Sequence, residues 1–516
     1  MTETPRPGGT PPPADSSRPD DRPTEEEAQA EHDRAAQELV SSGLFAGPDP
    51  TVVDDVLASP DVTAEVDPVA HAQAQAEVHR IYTEILTRAP EHDVQPSLER
   101  VRQVLELLGE PHRAYPVIHV AGTNGKTSTA RIVERLLRER GLRTGRFTSP
   151  HLSDVRERIA IDGEPIAPEV FVSTWQDIAP YVEMVDERSR AAGGPRLSFF
   201  EVFTVMAFAA FADAPVDVAV VETGMGGRWD ATNVADGTVE IITSVSRDHE
   251  RWLGHTLGEI AAEKAGIIVA GSTVVSAAQD EEVSAVVRDA AHALDARLVV
   301  DGADMEVVDR QLGVGGQMLV LRTPAATYTD VFLPLHGEHQ AHNALLALVA
   351  VETFFGGGAL SGEVVEHAMA AVDSPGRLEL VRTSPTVLLD AAHNAAGVES
   401  LRQAVEEAFH LSRVVGVVGV MHDKDAEAIL SGLEPLLAEV VITRATTSRA
   451  HDVDDLAEIA RDVFDEDRVH VAERIDEAID LAAARAEYGG QAGGAVLVTG
   501  SVILVGEARL LLRRGG

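Results

Sequence analysis

The stretch Gly122-Thr-Asn-Gly-Lys-Thr127 limits the possible folds of this chain more than any other. It lies between an apolar run, Val117–Ala121, and a segment carrying Ile132, Val133, Leu136 and Leu137 at helical spacing. A short apolar strand, a glycine loop and a helix in succession read as one crossover unit of a parallel sheet. Gly141 is placed to end that helix. Glycines let backbone N–H groups turn toward an anion, and the helix N-terminus adds its positive dipole end. In this context Lys126 reaches the outer phosphates of a nucleotide and the Thr127 hydroxyl ligates Mg2+. The loop is shorter than the general pattern G-x-x-x-x-G-K-[ST], because Val120 stands where the first glycine would be. The bland alternative is a strand-to-helix turn that happens to carry a lysine. Lys-Thr at the start of a helix, after a buried strand, favours an ATP site.

Composition narrows the partners. The 516 residues include 84 acidic and 43 basic side chains, a net charge of −41. Such a field disfavours nucleic acid and favours solubility, so an anionic nucleotide must meet local positive charge. There is no cysteine, which excludes a disulfide framework and a thiolate metal site. No signal-peptide core or membrane-spanning run occurs, so a cytoplasmic protein with no membrane partner is expected. Residues 1–67 are rich in proline (Pro11-Pro-Pro13 among others) and carry the acidic run Glu25-Glu-Glu27. They read as a disordered acidic tail with one transient helix near Glu27–Leu44.

Past the tail, helices are expected over Ala76–Arg88 and Ser97–Leu108. Strand-like runs at Thr144–Thr148, Val216–Val221 and Glu240–Val245 then alternate with a helix over Phe200–Phe211. A second alternating series follows Pro375-Gly376: strands at Val387–Asp390, Val414–Val420, Val440–Thr443 and Val496–Thr499, with helices over Val398–Phe409 and Ala426–Leu437. The fold class is α/β with two domains. The first, 68–374, is a P-loop parallel-sheet ATPase domain. The second, 375–516, is smaller and Rossmann-like. The boundary is expected near Val372–Arg377.

Carboxylates beyond strand ends are where sheets of this kind hold ligands. Val218-Ala-Val-Val-Glu222 ends in one and is followed by the glycine-rich Thr223-Gly-Met-Gly-Gly-Arg-Trp-Asp-Ala-Thr-Asn233. Glu222 suits Mg2+, which prefers hard oxygen ligands; the alternative is a solvated strand-end glutamate. Ile241–His249 is expected to repeat the layout, a strand ending in Asp248 and His249. Leu257–Lys264 reads as a helix whose last residue, Lys264, complements the helix dipole.

Together these motifs resemble a family. Thr-Ser-Pro-His-Leu at 148–152, Glu-x-Gly-Met-Gly-Gly-Arg-x-Asp-Ala-Thr-Asn at 222–233 and Glu-Lys-Ala-Gly-Ile at 263–267 follow the glycine loop in order. His-Gln-x-His-Asn at 339–343, Ser-Pro-Gly-Arg-Leu-Glu at 374–379, Asp-Ala-Ala-His-Asn at 390–394 and Met-x-Asp-Lys-Asp at 421–425 complete the set. Over about residues 90–510 the chain resembles the folylpolyglutamate synthase/dihydrofolate synthase family of the Mur ligase superfamily. The resemblance implies roles. Gly122, Thr123, Asn124, Gly125, Lys126, Thr127 and Ser128 would bind ATP phosphates, with Asn343 at adenine, Arg377 at the phosphates and Asp390 at the ribose. Ser149, Glu222, His249 and Thr127 would hold two Mg2+ ions. Lys264 would be carbamylated, which replaces the helix-dipole reading. His393 would face the incoming glutamate, and Lys126, Lys264, His249 and His393 form the catalytic set. Val94, Gln95, Ser198, Phe199, Phe200, Glu201, Trp229, Asp230 and Ala231 would line the pterin pocket.

The implied chemistry is an ATP-dependent ligation. A carboxylate takes the γ-phosphoryl group, and the amine of L-glutamate then displaces phosphate from the acyl phosphate. The acceptor is dihydropteroate, the γ-carboxylate of folyl-glutamates, or both, and the enzyme is a monomer acting on small molecules. Several positions depart from the family pattern: Thr223, Arg247 before Asp-His, Ala395 after His-Asn, and Ser448-Arg449 without an intervening proline. Arg247 is expected either to weaken ion binding or to pair with Asp248 or Glu250. Two rivals share the ATP site. A Mur ligase acting on a cell-wall precursor is disfavoured by Ser198–Glu201 and Trp229–Ala231. A noncatalytic nucleotide switch would have little need of Asp390, His393 and the second domain.

Overall fold

The computed structural model describes residues 68–90, 95–487 and 493–514. The expected acidic tail, its transient helix and Val94 lie outside the described residues. Around the glycine loop, eight strands form one sheet: β1 (Val117–Ala121), β2 (Thr144–Phe147), β3 (Ile159–Ile161), β4 (Glu164–Pro165), β5 (Val218–Glu222), β6 (Gly237–Ile242), β7 (Thr273–Ser276) and β8 (Arg297–Val300). Their order is β4-β3-β2-β5-β1-β6-β7-β8. The strands from β2 to β8 across this order run parallel. The hairpin β3–β4 adds an antiparallel edge, so the sheet is mixed rather than purely parallel.

β1 and β5 are buried along their whole length, as continuous apolar strands between two helical layers must be. Ile118 and Val120 of β1 pack with Leu136 of the Lys126–Glu139 helix and Leu345 of the Glu338–Phe354 helix. Val117, Ala219 and Val221 face the other way, onto Phe203 of the Phe199–Asp213 helix.

A three-stranded antiparallel sheet that the sequence reading did not anticipate follows: β9 (Glu306–Gly313), β10 (Gly316–Arg322) and β11 (Thr327–Leu333). Its Leu319, Leu321 and Val331 join the same core as β1. The third sheet holds β12 (Glu379–Thr383), β13 (Thr386–Leu389), β14 (Arg413–Val418), β15 (Glu439–Ile442), β16 (Val469–Val471) and β17 (Gly494–Thr499), in the order β12-β13-β17-β14-β15-β16. All pairs are parallel except β12–β13. The molecule is thus a two-domain α/β protein with a mixed sheet in each domain.

Helix ends differ from expectation where tertiary contacts override local pattern. The first described helix is Pro68–Ile85 rather than Ala76–Arg88, and the Ala395–Ala408 helix starts as soon as Asn394 caps it through Gly397 N–H. β6 stops at Ile242, so Asp248 and His249 do not end a strand. Among the described residues no helix is long and apolar enough to cross a membrane.

Candidate active site

The loop after β1 is shaped by two glycines that nothing larger can replace. A Cβ on Gly122 (φ +147) would sit 1.9 Å from Thr243 Oγ1, and one on Gly125 (φ +87) 2.5 Å from Asn343 Oδ1. Asn343, of the Glu338–Phe354 helix, is therefore seated against the loop, where its amide also donates to Gln340 Oε1 at 3.2 Å. Thr123 N–H donates to Ser244 O at 2.9 Å, tying the loop to the segment after β6. Lys126 Nζ donates to Thr123 O at 3.1 Å, so the ammonium lies over the loop.

Register sets the next group. β1 and β5 are neighbours with Val120 opposite Glu222, which puts this carboxylate beside the helix start at Thr127. Thr127 Oγ1 lies 3.0 and 2.9 Å from the two Glu222 oxygens, and Ser149 N–H donates to Oε2 at 3.3 Å. Glu222 is 1% exposed and has no ion-pair partner among the described residues. Burial raises its pKa against the pull of Lys126 and Thr127. A buried, unpaired carboxylate next to two hydroxyl-bearing residues is a donor set that fits a hard divalent cation.

Lys264 corrects the helix-dipole expectation. It is the last residue of the Leu257–Lys264 helix but only 4% exposed, and its Nζ donates to Gly122 O at 2.6 Å. Burial, reinforced by Lys126, brings its pKa down to about 7. The amine is therefore neutral in a large fraction of molecules at physiological pH.

Asp248 and His249 lie in the loop after β6. His249 adopts the left-handed conformation (φ +53) as it opens the Glu250–Leu253 helix. Burial, and then Lys424, lowers its pKa to about 3, so the imidazole is neutral. Burial raises the Asp248 pKa, but His249, Lys424 and His393 outweigh it and hold the carboxyl well below the usual range. Arg247 is exposed, and among the described residues it pairs with neither Asp248 nor Glu250.

A cleft of about 550 Å³ opens beside these groups. Gln95, Ser198, Phe199, Phe200, Glu201, Trp229, Asp230, Ala231, Ser149 and His249 line it from the first domain, and His393, Lys424, Arg449 and Ser501 from the second. Glu201 is held by Arg100 at 2.8 Å and closes a capping box with Ser198. Asp230 turns its carboxylate inward, accepting from Met225 N and Thr232 N, and so shapes the loop after β5. Asn343, Arg377 and Asp390 stand outside the cleft lining. Asp390 accepts from Leu378 N and Ala392 N, both at hydrogen-bond distance, which fixes the turn carrying Arg377. His393 Nδ1 lies 2.9 Å from Ala391 O. A carbonyl only accepts, so Nδ1 carries the proton and Nε2 keeps its lone pair. Asp248, Asn394 and Lys424 sit in the family motifs without an assigned role, and Arg100 closes the Val94–Arg100 stretch expected to add to the pterin pocket; the partners of all four are distant in the chain.

Comparison with known proteins decides the family. Residues 194–351 match the Mur ligase middle domain, and residues 376–502 match the Mur ligase glutamate ligase domain. The dihydrofolate synthase/folylpolyglutamate synthase of Mycobacterium tuberculosis is 48% identical over 448 residues, covering 83% of this chain and 92% of that protein. The chain belongs to the dihydrofolate synthase/folylpolyglutamate synthase family. The Bacillus subtilis member is 34% identical, covering 81% of this chain and 96% of its own. The fold agrees as well. The structure of M. tuberculosis folylpolyglutamate synthase complexed with ADP and AMPPCP superposes with a TM-score of 0.82 at 46% identity, over 85% of this chain and 99% of that one. An Escherichia coli member of the family in complex with DHPP and ADP gives a TM-score of 0.71 at 29% identity, over 82% and 94%.

Proposed function

We propose that this chain is an ATP-dependent ligase that joins L-glutamate to a pteroate or folate carboxylate, releasing ADP and phosphate. The observation that carries the reading is one wall-to-wall arrangement. Ser149, whose N–H bonds the buried Glu222 beside the glycine loop, also lines a cleft whose aromatic side, Phe199, Phe200 and Trp229, suits a flat pterin.

Roles follow from position. Gly122 to Ser128, with Asn343, Arg377 and Asp390, would bind ATP, and Lys126 and Arg377 would neutralise its outer phosphates. The substrate carboxylate attacks the γ-phosphorus, the bond to the β–γ bridging oxygen breaks, and ADP leaves. The glutamate amine then attacks the acyl carbon, and inorganic phosphate departs with the C–O bond electrons. Bound Mg2+ supplies charge neutralisation for two anionic reactants. Glu222, Thr127 and Ser149 would hold one ion. His249 would hold a second ion with help from Lys264 once that amine is a carbamate. Lys264 fits this because carbamate formation needs a neutral amine, and burial supplies it. His393 Nε2, an acceptor, would face the incoming ammonium.

The cleft residues Gln95, Ser198–Glu201 and Trp229–Ala231 would contact the pteridine. We further assign 68–374 to a P-loop ATPase domain and 375–516 to a Rossmann-like domain. Two mainly parallel sheets, each with an antiparallel edge and both contributing residues to one cleft, support that division. A cytoplasmic monomer acting on small molecules completes the reading, supported by its ATP chemistry and its high acidic charge.

The test is phosphate release with ATP, Mg2+ and glutamate, with dihydropteroate in one reaction and tetrahydrofolate in another. Turnover with both is the bifunctional outcome, and turnover with one assigns the acceptor. Turnover only with a UDP-muramyl precursor overturns the proposal. Lys126→Ala should still bind the pteridine and lose phosphate release.

A further inference from the structure

The two domains meet directly over the nucleotide loop, through a few buried polar side chains. Asn124, inside the loop, and Asn394, just after β13, exchange reciprocal hydrogen bonds. Asn124 Nδ2 donates to Asn394 Oδ1 at 3.2 Å, and Asn394 Nδ2 donates to Asn124 Oδ1 at 3.1 Å. The same Asn394 nitrogen donates to Asp248 Oδ2 at 3.2 Å. Asp248 Oδ1 accepts from Lys424 Nζ, in a pair whose side chains are 8% and 9% exposed. His393 Nε2 is 3.8 Å from the other Asp248 oxygen. One carboxylate of the first domain therefore holds a lysine and an asparagine of the second, and that asparagine grips the nucleotide loop.

Both oxygens of the Asp248 carboxylate, beside the nucleotide loop, are taken up by groups of the second domain. Burying it is tolerable only because Lys424 and Asn394 satisfy it. In return, a side chain with four rotatable carbons is fixed in one place on the cleft wall. That wall belongs to the domain matching the glutamate ligase family.

We propose that Asp248 is a positioning residue. It holds Lys424 and the His393-Asn394 turn in register with the nucleotide loop, and so governs how well the amino-acid substrate is used. The proposal rests on the ligase reading above. It concerns residues that touch each other across the domains rather than the reacting atoms.

Steady-state kinetics with glutamate varied, beside calorimetric titration with a nonhydrolysable ATP analogue, tests it. Asp248→Asn preserves shape but removes the charge that Lys424 needs. Its KM for glutamate should rise about 30-fold or more, the usual cost of breaking a buried charge pair, while affinity for the ATP analogue is unchanged. Asn394→Ser keeps an oxygen able to cap the Ala395–Ala408 helix and loses the amide donor. Asn394→Asp also keeps the cap but sets a carboxylate against Asp248. The KM for glutamate should rise in both, and more for Asp than for Ser, a ranking that a purely structural cap would not produce. If Asp248→Asn does not fold, the two Asn394 variants decide alone. Unchanged glutamate KM values overturn the proposal, as does equal loss of nucleotide affinity and glutamate use. A wild-type chain without glutamate-dependent turnover would instead overturn the ligase reading.

Discussion

Lys264 shows how far one residue's surroundings reset its chemistry. At a helix C-terminus it reads as a surface cation; buried against Gly122 O, it loses its proton near pH 7. Below that pH the ammonium has no lone pair to attack CO2, and above it the neutral amine does. Carbamate on Lys264, followed by 13C NMR of the protein in labelled bicarbonate, should therefore grow as pH rises through about 7 and be absent in Lys264→Ala. Turnover should fall with it, and a labelled carbamate signal that persists in Lys264→Ala would assign it elsewhere. Glu222 is the sharper case, because it is buried and, among the described residues, forms no ion pair. Glu222→Gln keeps shape and loses charge. It should lower turnover by more than the roughly 10–100-fold that loss of an outer-shell metal partner costs, and raise the Mg2+ concentration needed for half-maximal rate. An unchanged Mg2+ requirement would remove Glu222 from the ion site.

Elements are held to one another by a few buried polar contacts. Glu134, on the Lys126–Glu139 helix, accepts from Arg146 Nε of β2 at 2.5 Å and from Gly163 N–H at 3.0 Å, and the Arg146 side chain is 2% exposed. Glu134→Ala leaves a buried guanidinium uncompensated and should cost about 3–5 kcal/mol, read as a lower midpoint in thermal or denaturant unfolding. A shift of a few tenths would mean that water takes over the pairing. Such contacts explain what could be read in advance. β1, its loop and its helix are written locally, as a β-branched run, two glycines and a 3.6-residue period, and they appear where expected. Leu257–Lys264 is likewise bounded as expected, because Thr256 and Glu259 close a capping box. β9 does not read as a strand because exposed Val308 and Leu312 break its alternation, and β9–β11 come from one stretch between the two alternating series. Asp248 and His249 were placed on a strand because the apolar pattern runs on to Val245, whereas pairing with β7 ends at Ile242. The family motifs supplied the candidate residues, and the structure brings Thr127, Ser149 and Glu222 together and sets Ser198–Glu201 and Trp229–Ala231 along one cleft. What no local pattern can express is which distant side chain each one grips, as with Asn124 and Asn394.

At the scale of the whole molecule, the proposed ligation requires the two domains to approach each other closely. One backbone contact between them tolerates no side chain. Gly506, on the Val502–Arg514 helix of the second domain, lies so close to the first that a Cβ there would sit 1.9 Å from Leu152 O. Leu152 follows directly on the Ser149 turn beside Glu222, so any displacement at Gly506 reaches the residues proposed to hold the ion. Arg310 of β9 pairs with Glu407 of the Ala395–Ala408 helix at 2.8 Å, a further point of support beside the Asn124–Asn394 and Asp248–Lys424 contacts. An alanine at 506 meets a carbonyl rather than a flexible side chain, so the domains must part rather than repack. Gly506→Ala should therefore lower kcat/KM for the pteridine by about tenfold or more, equivalent to some 1.4 kcal/mol of lost alignment. The nucleotide loop lies within the first domain, whereas Arg377 and Asp390 belong to the second, so ATP-analogue affinity by calorimetry should fall by less than kcat/KM does. Arg310→Ala, which removes an exposed-edge pair, should cost far less. Equal losses in the two variants would show that the domains are held by their summed contact area. A loss confined to Gly506→Ala would show that they turn on this one close approach.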